Sequence, residues 1–140
     1  MKPSREQRAL VAVMSAAARL RRQAAGIVDT EGLSSSQYNV LRILRGAGDA
    51  LPTMEIRERM MDREPSITRL LDRLVERGLV VRTPSEKDRR RVDCHITAAG
   101  LELLERLDGP VDAMDRRLMR GFSPSELDAL SVLLARVAPE

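Results

Sequence analysis

The sequence predicts a mainly α-helical protein with one small β-hairpin, and three observations support this fold class. Apolar residues recur at intervals of three and four along most of the chain, which is the spacing of one face of a helix. Capping-box patterns begin at Ser4, Ser34 and Ser123. Residues 92–97 instead alternate between apolar and polar side chains, as a half-buried strand does. A chain of 140 residues with this pattern fits one domain.

The first predicted helix begins after Ser4 and is amphipathic. Its apolar side chains lie at helical spacing: Leu10, Val13, Met14, Ala17, Leu20, Ala24 and Ile27. The same helix carries Arg19, Arg21 and Arg22. We interpret these arginines as a solvated surface, with contact to an anion as the alternative.

The second predicted helix begins after Ser34 and ends at the glycine-rich residues 46–48. Its inward face is predicted to consist of Tyr38, Leu41 and Leu44. We interpret Tyr38 as a core residue with a hydrogen-bonded hydroxyl, with contact to a small ligand as the alternative. Leu51 and Pro52 then predict a short strand, which proline tolerates only at the edge of a sheet.

Two closely joined helices follow this strand. Thr53 is predicted to cap the first of them. The inward face of that helix is predicted to consist of Ile56, Met60 and Met61. In the second, Pro65 suits the first helical position and Gly78 suits the left-handed residue beyond the end. The connection over residues 62–65 is too short for the helices to separate, which is typical of a helix-turn-helix.

The second of these two helices has two distinct faces. Its apolar stripe consists of Ile67, Leu70, Leu71, Leu74 and Val75. The opposite face carries hydroxyl and basic side chains: Ser66, Thr68, Arg69, Arg73 and Arg77.

A hairpin is predicted next. Residues 79–83 are rich in β-branched side chains, residues 84–88 have the composition of a turn, and residues 92–97 form the return strand. Three arginines, at 89–91, lie between the turn and the return strand. A helix-turn-helix followed by a hairpin with a basic tip is typical of a winged helix, whose second helix enters the major groove of DNA.

Two more helices are predicted after the hairpin. The first carries Leu101, Leu104, Leu107, Val111, Met114 and Leu118 at helical spacing. Gly109 and Pro110 predict a kink or a break near Asp108, because proline removes a helical hydrogen bond. The last helix is predicted to begin after Ser123 with Pro124 in its first position. Its apolar side chains, predicted to lie on one side, are Leu127, Leu130, Leu134 and Val137.

The hairpin and the helix before it resemble the MarR (multiple antibiotic resistance regulator) family of transcription factors. Residues 88–100, DRRRVDCHITAAG, contain the Asp-x-Arg pair and the Thr-x-x-Gly ending of the family's wing. Residues 68–74, TRLLDRL, resemble the family's recognition helix. Cys94 departs from the pattern, because the family more often has valine there. With the helices around these motifs, the resemblance extends over nearly the whole chain.

The recognition helix is predicted to bind DNA through its polar face. Ser66, Thr68 and Arg69 lie in its first part, where Arg69 is expected to bind a base edge in the major groove. Arg73 and Arg77 lie farther along and are expected to hold phosphates, which position the protein without reading sequence. The alternative partners of these two arginines are Asp72 and Glu76.

The hairpin is predicted to bind DNA through its tip. The resemblance implies that Arg90 enters a minor groove, whose negative potential attracts arginine. It also implies that Asp88 pairs with an arginine and stiffens the tip. The remaining predicted DNA-binding residues of the tip are Lys87, Arg89 and Arg91.

The charge distribution agrees with these assignments. The chain has 24 basic and 21 acidic residues, so its net charge is only +3. Residues 57–91 hold 11 basic and 7 acidic residues, whereas residues 92–140 hold 5 basic and 9 acidic residues. The positive charge that could bind a polyanion is therefore concentrated in the helix-turn-helix and the wing.

The terminal helices are predicted to form a dimer interface. A single chain would leave their apolar stripes wet, and large exposed apolar patches usually mark interfaces. We therefore divide the single domain of residues 1–140 into a helical dimerisation region, residues 1–32 and 98–140, and a winged helix-turn-helix lobe, residues 33–97. The resemblance implies the same arrangement. The residues predicted at this interface are Leu10, Met14, Leu118, Leu127, Leu130 and Leu134.

These features predict a homodimeric repressor that binds a pseudo-palindromic operator in double-stranded DNA. The resemblance implies that a small aromatic or phenolic ligand lowers its DNA affinity by changing the spacing of the two lobes. The alternative is a winged helix that contacts another protein and binds no DNA.

The sequence offers no support for an enzyme, a metal site or a cofactor. Cys94 and His95 are the only cysteine and histidine, and as strand neighbours they point to opposite faces. A structural zinc site usually has four ligands. We predict that Cys94 is a small buried apolar residue and that His95 is exposed. Because no apolar run approaches about 18 residues, we expect a cytoplasmic protein that does not enter membranes.

Overall fold

The computed structural model describes residues 1–62 and 65–137. Within them lie six helices and three short strands, which confirms the mainly α fold class with a small hairpin. In chain order they are α1 (Arg5–Asp29), α2 (Ser35–Ala47), β1 (Leu51–Pro52), α3 (Thr53–Arg59), α4 (Ile67–Glu76), β2 (Val80–Pro84), β3 (Val92–Ile96), α5 (Ala98–Leu118) and α6 (Pro124–Leu134). No helix among these residues is long and apolar enough to cross a membrane.

The three predicted capping boxes are confirmed. Ser4, Ser34 and Ser123 each accept a hydrogen bond from the backbone N–H three residues later and are capped in return by the side chain of that residue. These reciprocal bonds satisfy two N–H groups that have no partner inside the helix. The starts of α1, α2 and α6 are therefore fixed by local sequence.

The three strands form one antiparallel sheet in the order β1-β3-β2. Leu51 of β1 lies opposite Cys94 of β3, and Pro52 lies opposite Asp93. The strand that contains Pro52 is thus an edge strand, as predicted. The hairpin of β2 and β3 pairs five residues on each side, from Val80 opposite Ile96 to Pro84 opposite Val92.

The core lies where α2, α3, α4 and the sheet meet the first half of α5. Its completely buried side chains come from all of these elements: Val40, Leu41, Ile56, Leu71, Leu74, Val80, Cys94 and Leu104. Val28 at the end of α1 and Leu107 of α5 belong to the same cluster. The core therefore includes residues from both of the regions into which the sequence was divided, and that division stays a prediction.

The start of α3 differs from the prediction. Thr53 is the first helical residue and Pro52 occupies the cap position without a side-chain hydrogen bond. The Thr53 hydroxyl instead lies 3.8 Å from the Cys94 sulfur, inside the lobe. The ring of Pro52 fixes its own φ, which is −60°, and carries no hydrogen-bond acceptor, so the chain enters the helix without a side-chain cap.

The connection between α3 and α4 also differs. Met60 is buried as predicted, but Met61 is 86% exposed, because the chain leaves the helix at Met60 in an extended conformation. The Met61 N–H donates to the Asn39 side chain at 3.0 Å, which fixes this change of direction. Pro65 precedes the helix by two residues, and Ser66 occupies the cap position without forming a side-chain cap.

Helix α5 continues through Pro110 without a break. Proline leaves the carbonyl one turn earlier without its helical partner, yet Val111 is half-buried and Met114 is buried beyond it. Packing on both sides of Pro110 therefore keeps the helix continuous.

The last helix is not one-sided. No residue of α6 is buried, and its exposed side chains include Val132 (64%), Leu133 (56%) and Leu134 (43%). Val137, which was placed on the same stripe, lies beyond the end of the helix. Apolar side chains on several faces leave α6 largely uncovered within one chain.

Candidate nucleic-acid interface

Helix α4 presents a polar face to solvent. Ile67, Leu71 and Leu74 are buried, which fixes the rotation of the helix about its axis. The opposite residues Ser66, Thr68, Arg69 and Arg73 are all exposed, as the sequence predicted. The polar face of α4 is thus directed away from the core because the apolar face is held in it.

Two arginines of this face are unpaired. Within the part of the chain that the structure describes, Arg69 and Arg73 form no ion pair or side-chain hydrogen bond. The predicted alternative, pairing of Arg73 with Asp72 or Glu76, is therefore wrong for the described residues. Unpaired guanidinium groups on an exposed helix are suited to bind phosphate or base acceptors.

Arg77 has a different environment from Arg69 and Arg73. Its Nη1 donates to the Gly32 carbonyl at 3.0 Å and its Nη2 donates to the Glu31 carbonyl at 2.9 Å. Both acceptors belong to the loop between α1 and α2. Pairing of Arg77 with Asp72 or Glu76 is wrong, and contact of Arg77 with DNA stays a prediction.

The base of the wing is joined to α4. Arg82 of β2 forms an ion pair with Asp72 of α4. A cleft of about 390 Å³ lies beside this pair, with Thr68 of α4 on one wall and Thr83 and Val92 of the hairpin on the other. Arg82 was not predicted as a functional residue. The sequence does contain a hint of the pair, because Arg82 is a basic residue on a strand that follows the acidic Asp72 by ten residues.

The tip of the wing is ordered by two side chains. The Ser85 hydroxyl, which is buried, accepts hydrogen bonds from the N–H groups of Lys87 (3.3 Å) and Asp88 (3.4 Å). The Asp88 carboxylate accepts from the Arg90 N–H at 3.0 Å and lies 3.7 Å from Nε of Arg91. Ser85 was missed by sequence reasoning, although serine in a turn often bonds nearby backbone in this way.

The predicted basic residues of the tip are exposed. They are Lys87, Arg89, Arg90 and Arg91. The carboxylate of Asp88 faces inward on the turn through its bonds to Arg90 and Arg91. The implied pairing of Asp88 with an arginine is therefore present, and the guanidinium groups of Arg89 and Arg90 remain on the surface.

Tyr38 is half-buried and packs against the core, as predicted, but among the described residues its hydroxyl has no hydrogen-bond partner, which differs from the prediction. The guanidinium of Arg42 lies 5.8 Å from the centre of its ring, which is within the range of a cation–π contact. Burial raises the pKa of the Tyr38 hydroxyl. Contact with a ligand stays a prediction.

The residues predicted at the dimer interface are accessible in the single chain. Leu10 is 53% and Met14 70% exposed on α1. Leu118, Leu127 and Leu130 are partly buried, and Leu134 is exposed.

On α1 the three arginines at 19, 21 and 22 are exposed, and Arg21 forms an ion pair of 3.1 Å with Asp62.

Cys94 is completely buried, as predicted, and burial raises the pKa of its thiol. His95 was predicted to be exposed but is half-buried, because its Nε2 lies 3.3 Å from the Thr83 hydroxyl on the neighbouring strand. Among the described residues, no group of three or more His, Cys, Asp or Glu side chains is arranged to hold a metal ion.

Comparison with known proteins agrees with this geometry. Residues 31–91, which include α2 to β2, match the sequence model of the MarR family. A transcriptional regulatory protein assigned to the hcr operon of Thauera aromatica is 31% identical over 120 residues, which cover 86% of this chain and 72% of that protein. The regulator PecS of Dickeya dadantii is 34% identical over 107 residues, which cover 75% of this chain and 64% of PecS.

Solved structures show the same fold. A MarR transcription factor from Planctomyces limnophilus is 36% identical and superposes with a TM-score of 0.73, over 96% of this chain and 98% of that one. A variant of E. coli MarR in complex with operator DNA is 25% identical, with a TM-score of 0.82 over 91% of each chain.

Proposed function

The chain belongs to the MarR family of DNA-binding transcription regulators, and we propose that it is a homodimeric repressor that binds a pseudo-palindromic operator. One observation favours DNA as the partner above all. The apolar face of α4 is locked into the core while Arg69 and Arg73 on the opposite face are unpaired within the described residues. A basic helix face held in this way is suited to the major groove.

In this proposal the first part of α4 reads base edges. Arg69 binds guanine in bidentate fashion, and the hydroxyl groups of Ser66 and Thr68 contact neighbouring bases. Arg73, one turn later, binds a phosphate and contributes affinity without specificity. All four residues are exposed on one helix, which supports their joint contact with one groove.

The wing extends the contact to an adjacent minor groove. Arg90 enters that groove, while Lys87, Arg89 and Arg91 bind the phosphates beside it. The ion pair of Arg82 with Asp72 holds the wing to α4, so the two elements meet DNA as one rigid surface. Asp88 contributes by ordering the backbone of the tip.

The dimer is proposed to form through the terminal helices, residues 1–32 and 98–140. Exposed apolar side chains on α1 and α6 support this, because soluble chains rarely leave such surfaces uncovered. Two-fold symmetry would place the two α4 helices about 34–36 Å apart, in successive major grooves on one side of the duplex. The winged lobe of residues 33–97 would then meet one operator half-site in each chain.

A small aromatic or phenolic ligand is proposed to relieve repression in the cytoplasm. Tyr38 and Arg42 on α2 offer an aromatic ring and a cation for such an anion.

The alternative function is a winged helix that binds another protein, which predicts no salt-dependent DNA affinity.

A mobility-shift assay on the DNA upstream of the protein's own gene, at two salt concentrations, separates these functions. The proposal predicts a shift that weakens steeply with salt, because bound arginines release counterions from phosphates. Loss of the shift when small aromatic acids are added would identify an effector. Absence of any salt-dependent shift would support the protein-binding alternative.

A further inference from the structure

The carboxyl end of α4 is held directly by the start of α5. The Thr97 hydroxyl donates to the Gly78 carbonyl at 2.7 Å, and the Thr97 N–H donates to the Leu79 carbonyl at 3.0 Å. The same hydroxyl accepts from the Gly100 N–H at 3.1 Å and thereby caps α5. Thr97 therefore links the residues that end α4 to the first turn of α5.

Gly100 allows this close approach. A Cβ at Gly100 would lie 2.6 Å from the Leu79 carbonyl oxygen and 2.7 Å from Cγ1 of Ile96. Gly78 adopts a positive φ of 71°, so α4 ends here in a left-handed turn. The end of α4 and the first turn of α5 are consequently in backbone contact.

A second link joins α4 to the middle of α5 through the α1–α2 loop. Both terminal nitrogens of Arg77 donate to the Glu31 and Gly32 carbonyls. The Glu31 carboxylate in turn accepts from Nε (3.0 Å) and Nη2 (3.2 Å) of Arg106 on α5. The bond from Arg106 lowers the pKa of Glu31, to which the charge of Arg77 also contributes.

In place of the phosphate contact that the sequence suggested for Arg77, we infer that it is a positioning residue, which with Glu31 and Arg106 fixes the direction of α4 relative to α5 and so sets the half-site spacing that the dimer accepts. The inference rests on the proposed function, in which α5 belongs to the dimerisation region. This link consists of the Arg77 bonds to two carbonyls and the Arg106–Glu31 ion pair, and it lies at the end of α4 opposite to Ser66, Thr68 and Arg69. A tilt of α4 at its Arg77 end would therefore move the opposite end, which is proposed to read bases.

This role differs from a phosphate contact in what it predicts. A phosphate contact adds to the salt dependence of DNA binding, because it releases a counterion. A positioning contact between protein groups leaves that dependence unchanged and alters which DNA geometry is preferred. Arg73 lies on the same helix, is exposed and is unpaired within the described residues, so it is the matched control.

The test uses an operator selected by the full-length wild-type protein from random-sequence duplexes. Affinity is measured for that operator and for versions with one base pair added or removed between half-sites, which rotates them by about 35°. We expect the wild type to lose at least about tenfold in affinity on either change, a penalty comparable to a mismatched base pair. The proteins compared are wild type, Arg77→Gln, Arg106→Gln, Glu31→Gln and Arg73→Gln, each with its melting temperature measured.

Arg77→Gln and Arg106→Gln should each reduce the spacing penalty to about threefold, and a further variant that combines these two substitutions should reduce it little more, because both break one link. Glu31→Gln should behave like Arg106→Gln. The salt slope should stay at the wild-type value in all three, whereas Arg73→Gln should lower it by about one phosphate and keep the spacing penalty.

The inference is overturned if Arg77→Gln lowers the salt slope as Arg73→Gln does, or if Arg106→Gln and Glu31→Gln keep the full spacing penalty. Arg106 lies on α5 and its variant tests the link even if Arg77→Gln unfolds. Failure of the wild type to select any DNA would instead refute the proposed function itself.

Discussion

The winged lobe and the outermost helices, α1 and α6, differ in how far their apolar side chains are covered. In the lobe Leu41, Ile56 and Leu71 are completely buried, whereas α6 has no buried residue and Met14 of α1 is 70% exposed. The apolar side chains of the lobe are therefore covered within one chain, where Leu104 and Leu107 of α5 complete their core, whereas α6 and the first half of α1 lack a cover. One sequence thus holds two kinds of apolar surface: one is covered within the chain, and the other is the surface that we propose for dimerisation.

The largest effect is expected inside the lobe. Leu71→Ala should lower the free energy of unfolding by about 2–5 kcal/mol, because the buried side chain leaves a cavity beneath α4. Denaturant titration followed by circular dichroism measures the change. Surface substitutions usually change the free energy of unfolding by less than about 1 kcal/mol. A loss of that size for Leu71→Ala would show that this core is not tightly packed.

Substitutions on the apolar surface of α6 should dissociate the proposed dimer. Replacing Leu130 and Leu134 of α6 with glutamate would bury unpaired charge in the proposed interface, at a cost of several kcal/mol. Light scattering should then show a monomer with wild-type helix content. Ser125→Glu, in the first turn of the same helix, should remain dimeric, because acidic residues suit a helix start. An unaltered dimer in the leucine variant would refute this interface.

The joint between the two regions should be sensitive to a single methyl group. Gly100→Ala should cost about 1–3 kcal/mol, because its Cβ would collide with the Leu79 carbonyl and neither backbone can yield freely. Gly46→Ala in α2 is the control, since nothing lies within 4 Å of its Cβ, and it should be neutral or stabilising. Equal melting temperatures for the two variants would argue against the close contact.

The smallest effect concerns an ion pair between the regions. Arg45 donates two hydrogen bonds of 2.9 Å to Asp108, and these lower the pKa of Asp108. A carboxylate whose pKa is lowered by folding stabilises the folded state at pH values above its pKa in the unfolded chain. That stabilisation is lost progressively as the pH falls below about 4. Because the pair is partly exposed, it should contribute no more than about 1 kcal/mol.

The free energies of unfolding of the wild type and of Asp108→Asn should therefore differ at pH 7, and the difference should shrink steadily as the pH falls through the lowered pKa of Asp108. A difference of the same size over the whole of that pH range would show that the pair is not the cause.

Local chemistry was predictable at the three capping boxes and at Gly78, although Thr53 as a cap and Pro65 as the first helical residue were wrong, and long-range contacts were not predictable. The three capping boxes and the left-handed Gly78 depend on neighbours within a few residues, so their patterns sufficed. Met61 was misplaced because its direction depends on the Asn39 side chain, 22 residues away. Arg77 and Arg73 share one helix face, yet the Glu31 and Gly32 carbonyls that distinguish them belong to a loop that periodicity cannot locate.

In the proposed complex α4 reads bases while the wing holds the DNA backbone and the minor groove. The most direct test is the affinity of Arg69→Ala and Arg90→Ala for the operator and for scrambled DNA across a salt series. Arg69→Ala should cost about 1–3 kcal/mol on the operator and relax preference at one position per half-site. Arg90→Ala should weaken both DNAs together and lower the salt slope by up to about one phosphate. Equal weakening of both DNAs by Arg69→Ala, or unaltered affinity in Arg90→Ala, would contradict the account.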